Sequence, residues 1–183
     1  PDLLGMTLFT YNAKAGYELL RRLHGVGAIT VAGGPHVTVR PEEAIAFGFD
    51  LAVTGEGERS AVEIADRLWE AHGDISAFSD ISGVVTAASR TVGGFLDDLD
   101  ALPYAHTALP AFQPEIYGNG TWVVTGGTVT SRGCPARCTF CANYVTGRSF
   151  RYRSALDVVA ELVTLRQEHD VRNFAFWDDA FTA

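Results

Sequence analysis

Eleven residues carry the densest chemistry in this chain: Ser131-Arg132-Gly133-Cys134-Pro135-Ala136-Arg137-Cys138-Thr139-Phe140-Cys141, with every cysteine of the sequence in C-x3-C-x2-C spacing. Three thiols so close together cannot all pair as disulfides, and their softness suits a metal centre. No histidine or acidic residue lies between Arg132 and Arg153 to complete a closed four-ligand zinc site. The stretch therefore reads as a cluster-binding loop with one coordination position open. A catalytic zinc bearing three thiolates and a water, or a fortuitous group of cysteines, is the other reading. Gly133 and Pro135 suit a tight loop in which backbone approaches inorganic sulfur.

This spacing, with Phe140 directly before the last cysteine, resembles the radical SAM superfamily. The resemblance implies a 4Fe-4S cluster on Cys134, Cys138 and Cys141, with Phe140 beside it. Its open iron would bind S-adenosylmethionine (SAM), whose reductive cleavage gives a 5′-deoxyadenosyl radical. At the far end of the chain Asn173-Phe174-Ala175-Phe176-Trp177 reads as a strand closing on Asp178-Asp179. Members of the superfamily often place Gly-Gly-Glu at the second barrel strand to hold the SAM amino group. The resemblance thus assigns Asp178 and Asp179 to SAM, although the residues differ and helix capping is the plainer role for Asp179.

The elements around the loop follow from pattern. A strand from Trp122 through Thr130 delivers it. Ser154 caps the next helix, Asp157 completes a capping box, and Leu156, Val159, Leu162, Val163 and Leu165 form a stripe expected to be buried. Strand, helix, strand is the opening of a parallel barrel, whose active site lies at the carboxyl ends of its strands.

Upstream, short apolar runs alternate with helical periods. Asp2 to Thr10 reads as a strand buried on both faces, Asn12 to His24 as a helix, and Ala28 to Ala32 and Asp50 to Thr54 as further strands. Gly55-Glu56-Gly57-Glu58 turns into a helix with a capping box from Ser60 to Glu63. Such alternation predicts a doubly wound sheet. With Gly33-Gly34-Pro35-His36 and the Gly-Glu-Gly-Glu turn at consecutive strand ends, this part resembles the cobalamin-binding domain joined to one class of radical SAM enzymes. That implies a Rossmann-like, flavodoxin-type fold and cobalamin at Thr7, Gly33, Gly34, His36, Gly55, Glu56 and Gly57. Phe9 departs from the family's Ser-x-Leu, and the Asp-x-His-x-x-Gly loop that supplies a lower cobalt ligand is absent.

The expected organisation is a cobalamin-binding-like domain over 1–80, a hairpin and linker over 81–120 and the start of a radical SAM partial TIM barrel over 121–183. The net charge of −8 argues against a nucleic-acid surface. An acid-free window holding Arg132, Arg137, Arg148, Arg151 and Arg153 would instead offset an anionic cluster and a SAM carboxylate. Neither a signal peptide nor a membrane span is evident, and reduced cysteines suit the cytoplasm. The chain opens without methionine and reads as a fragment of a longer enzyme. The resemblance implies cobalamin-dependent methylation at inert carbon or phosphorus, with ring formation or rearrangement as a variant. Its implied partners are a small-molecule or peptide substrate and an electron donor such as a flavodoxin or ferredoxin. A non-catalytic cobalamin or metal module, with a structural or electron-carrying centre, is the alternative.

Overall fold

The structure, a computed structural model, describes residues 2–23, 25–111, 125–143 and 145–182. Its backbone divides into two units, Pro1–Phe95 and Leu96–Ala183.

In the first unit β1 (Leu3–Thr7), β2 (Ile29–Gly33) and β3 (Leu51–Val53) run parallel and in that order. Register from Leu3↔Ile29 to Thr7↔Gly33 sets Thr7 beside Gly33 at the carboxyl ends. β4 (Val84–Val85) pairs antiparallel with β3, and Val85 also bridges to Arg90, so one arm of the expected hairpin becomes a fourth strand. One core gathers Leu8 with Tyr17 and Leu20 of α1 (Ala13–Arg22), Val37 of α2 (Pro35–Val39) and Ala44 of α3 (Pro41–Ala46). The second joins Leu51 and Val53 to Ile64 of α4 (Glu58–Ala71) and to Phe78 and Ile81. Helices thus cover both faces of the sheet, the layering expected of a Rossmann-like domain.

Two local expectations are corrected here. β1 is only half-buried, because it is the edge strand of the order. α4 starts at Glu58, not at Ser60, because the Gly57 carbonyl already accepts from the Ala61 amide at 2.7 Å. Ser60 lies inside the helix, donating its hydroxyl to the Ser82 carbonyl at 2.8 Å, and Glu63 pairs with Arg67.

In the second unit β5 (Thr125–Thr128) and β8 (Asn173–Phe176) are parallel neighbours, with α5 (Ala155–Glu168) between them in sequence. Trp122 to Val124 of the expected first strand lie outside the described residues. β6 (Ser131–Arg132) and β7 (Arg151–Tyr152) pair antiparallel and close the neck of the cysteine segment. Ser154 caps α5, its hydroxyl accepting from the Asp157 amide at 3.2 Å. The reciprocal half of the box is not made: the Ser154 amide donates to Asp100 at 2.8 Å, while Asp157 accepts from the Tyr104 hydroxyl and the Arg153 guanidinium. The predicted stripe is corrected too. Leu165 is buried, but Leu156, Val159 and Val163 are exposed and Glu161 is buried in their place. Among the described residues only two strands share this sheet, and the side of α5 turned to β5 is held by charge. The part of the expected linker from Leu96 onward joins this unit, with Leu96 and Leu99 buried and the Leu96 carbonyl accepting from Arg151 at 2.6 Å. No helix among the described residues is long and apolar enough to cross a membrane.

Candidate functional sites

The cysteine loop leaves β6 through Gly133, whose φ of +83° and closeness to the Ser149 and Gly147 carbonyls leave no room for a side chain. Its backbone is then clamped. The Cys134 amide donates to the Gly147 carbonyl and the Cys141 amide to the Cys138 carbonyl, both at 3.2 Å. Buried Asn143 donates its side-chain nitrogen to the Cys134 carbonyl at 3.0 Å and the Ala136 carbonyl at 2.8 Å. Sequence reasoning missed Asn143, since an amide seven to nine residues from its acceptors leaves no periodic signal. All three thiols are free, Cys134 half-buried and the other two exposed, and Phe140 is 91% exposed. Among the described residues no three histidine, cysteine or acidic side chains converge on one ion. Three uncommitted thiols on one clamped loop suit a four-iron cluster in which three of the irons each take one cysteine sulfur.

The paired aspartates bracket this loop. Asp178 Oδ1 accepts from the Thr130 amide at 2.9 Å, the Thr130 hydroxyl at 3.0 Å, the Ser131 hydroxyl at 2.7 Å and the Ser131 amide, tying the end of β8 to the loop's entrance. Asp178 Oδ2 is buried and has no hydrogen-bond partner among the described residues. Asp179 accepts from the Thr146 hydroxyl at 2.7 Å, at the loop's exit. The sequence reading set both against SAM; in the structure each engages the loop, and the orphaned Oδ2 is the atom left for a ligand donor.

Two of the five arginines expected to balance a cluster have other partners. Arg151 donates to the Leu96 and Thr146 carbonyls. Arg153 lies 5.3 Å above the Tyr104 ring and pairs with Asp157 at 2.7 Å and the buried carboxylate of Glu161 at 2.6 Å, which also accepts from Thr128. Burial works to raise the Asp157 carboxyl, but the Tyr104 hydroxyl and the Arg153 guanidinium hold it below the usual range.

In the first unit six of the seven residues chosen from sequence, Thr7, Gly33, Gly34, Gly55, Glu56 and Gly57, line one open groove of about 690 Å³. A Cβ added at Gly33 would meet nothing within 4 Å, so side-chain bulk there projects into open space. Gly34, with φ of +97°, presses against β1: a Cβ would lie 2.9 Å from both the Leu8 carbonyl oxygen and Thr7 Cγ2. Gly5 and Leu3 extend the groove along the sheet. The period of two through Leu3, Gly5 and Thr7 is the signal that could have found them. A long, glycine-floored groove fits a large cofactor with an extended tail. The seventh residue, His36, is elsewhere. It turns into a hollow of about 540 Å³ with Thr10, Tyr17, Glu43 and Phe47. There its Nδ1 meets the Thr10 hydroxyl and its Nε2 the Glu43 carboxylate, both at 3.2 Å. Burial first, then Glu43, pushes the Tyr17 phenol up to about 12.

A family model described as the B12 binding domain matches residues 1–65. The whole chain is 29% identical over 196 residues to an uncharacterized methyltransferase of Pyrococcus horikoshii, and 29% identical over 223 residues to cytidylyl-2-hydroxyethylphosphonate methyltransferase of Streptomyces wedmorensis. It spans 40% of the length of each. The structure of TsrM, a radical S-adenosylmethionine methyltransferase from Kitasatospora setae solved with cobalamin and a 4Fe-4S cluster, matches 98% of this chain and 37% of its own with a TM-score of 0.66. At 20% identity that likeness is one of fold. Residues 1–65 thus match a B12 binding domain, and the chain as a whole is similar to part of several methyltransferases, with a three-cysteine loop on a βαβ start after the matched domain.

Proposed function

We propose that the chain is the cofactor-holding portion of a cobalamin-dependent radical SAM methyltransferase. The observation that carries this is the set of three free thiols on a clamped loop after β5. Cys134, Cys138 and Cys141 hold the cluster, the first unit's groove holds cobalamin, and Asp178 Oδ2 accepts from the SAM ammonium or a ribose hydroxyl. When bound, the cluster supplies one-electron cleavage of SAM, and cobalamin supplies methyl transfer. The protein's part is positional. Asn143 and Asp178 fix the loop so that one metal site stays open, and Gly33 leaves room beside the sheet. An organic substrate and a flavodoxin- or ferredoxin-like reductant complete the reading.

The test is anaerobic reconstitution of the protein followed by SAM and a low-potential reductant. Four irons per chain and release of 5′-deoxyadenosine are expected, with Cys138→Ala losing the brown absorbance. Zinc alone under iron-replete conditions, or a reduced cluster that never yields 5′-deoxyadenosine, would assign the loop to a structural or electron-carrying centre.

A further inference from the structure

His36 follows the Gly33–Gly34 step by two residues, yet its ring turns away from the groove that step lines, into the hollow between α1 and α3. Its side chain is only 11% exposed and both ring nitrogens have partners. A carboxylate can only accept, so Nε2 carries the proton toward Glu43, while Nδ1 is hydrogen-bonded to the Thr10 hydroxyl. Glu43 is itself held, receiving the Tyr17 hydroxyl at 3.3 Å and facing Arg40 at 3.5 Å. The backbone around the ring is laced to the end of β1. The Leu8 amide donates to the Gly33 carbonyl at 2.8 Å, and the His36 amide donates to the Leu8 carbonyl at 3.1 Å.

We infer that His36 is a positioning residue for the groove: through Glu43 and Thr10 it anchors the Gly33–Gly34 backbone from behind and does not touch cobalamin or its cobalt. This rests on the cobalamin reading of the groove. The physical need is local. Gly33 and Gly34 have the widest backbone freedom of any residue type, and α2 after them is only five residues, too short to hold itself. An imidazole wedged between a carboxylate on α3 and a hydroxyl after β1 removes that freedom while leaving the groove side bare. Gly34 must then lie against Leu8, where no side chain fits.

The experiment compares the wild type with His36→Ala, His36→Gln and Glu43→Gln in three measurements. In the cofactor-free protein, hydrogen exchange at the Leu8 and His36 amides should quicken in His36→Ala and partly recover in His36→Gln, whose amide can still donate to Glu43. With hydroxocobalamin, followed by visible absorbance, loss of this charge-assisted anchor should weaken binding about tenfold in His36→Ala and similarly in Glu43→Gln, which lies outside the groove. After reduction to cob(II)alamin, the electron paramagnetic resonance spectrum should be the same in wild type and His36→Ala. A nitrogen splitting present in wild type and lost in His36→Ala would make His36 a cobalt ligand and overturn the inference. Unchanged exchange and unchanged affinity in both His36→Ala and Glu43→Gln would overturn it as well. If wild type retains no cobalamin, the proposed function fails together with this inference; if wild type binds and the variants match it, the inference alone fails.

Discussion

Replacing Asn143 by alanine should loosen the cysteine loop without removing a single thiol. The amide makes two side-chain bonds, to the carbonyls of Cys134 and Ala136, from a side chain sealed inside the loop. Each such bond contributes about 1 kcal/mol net. Together they favour the closed loop by about 2 kcal/mol, a shift of about 30-fold in the open population. The assay is the rate at which an excess iron chelator bleaches the anaerobically reconstituted cluster. If the loop opens and closes faster than chelation, that rate follows the open population. Asn143→Ala should assemble a full complement of iron yet lose it about tenfold faster or more, even if relaxation recovers part of the penalty. Asn143→Asp should be faster still, because a carboxylate cannot donate to carbonyls and adds charge beside three thiolates. Circular dichroism should show both variants folded. Bleaching of Asn143→Ala at the wild-type rate, with equal iron content, would refute the view that this amide holds the loop.

Other outcomes follow from the same geometry. Gly33→Val should abolish cobalamin retention while leaving the melting temperature in place, whereas Gly34→Ala, at φ of +97°, should cost about 1–3 kcal/mol of stability; equal effects of the two on melting would refute the distinction. Asp178→Asn keeps an acceptor for the Thr130 and Ser131 amides and should assemble the cluster but bind SAM more weakly, while Asp178→Ala should impair both; unchanged SAM affinity in Asp178→Asn would assign the residue to structure alone. Tyr17 keeps its proton to about 12 in the folded protein, while an unfolded tyrosine loses it near 10, so stability should sag between those values as pH rises and be untouched below them. An ultraviolet titration in which all six tyrosines ionise near pH 10 would contradict this.

What the sequence revealed and what it hid divide along a physical line. That the glycines after β2 and β3 share one groove was legible, because parallel strands end at one edge. The direction of the His36 ring was not, since a place two residues after Gly34 does not say into which side of a loop a ring will turn. Glu161 lies outside the predicted apolar stripe yet is buried, and its partners, Arg153 and Thr128, stand eight and 33 residues away. Asp157 satisfied the spacing of a capping box, but a nearby tyrosine and arginine outcompete the Ser154 amide for its carboxylate. Local pattern names the residue type a position requires; it cannot see a competitor folded in from elsewhere.

The tie from Asp178 to Thr130 and Ser131 has a consequence for the order in which this protein is assembled. It closes a chain segment of nearly 50 residues, against 26 for the β1–β2 register, and loop closure becomes dearer with length by about 0.6 kcal/mol per doubling. The three thiols need no such closure to find one another. During synthesis the cysteine loop therefore emerges before β8 exists to pair with β5, and its entrance at Thr130 and Ser131 stays untied until Asp178 arrives.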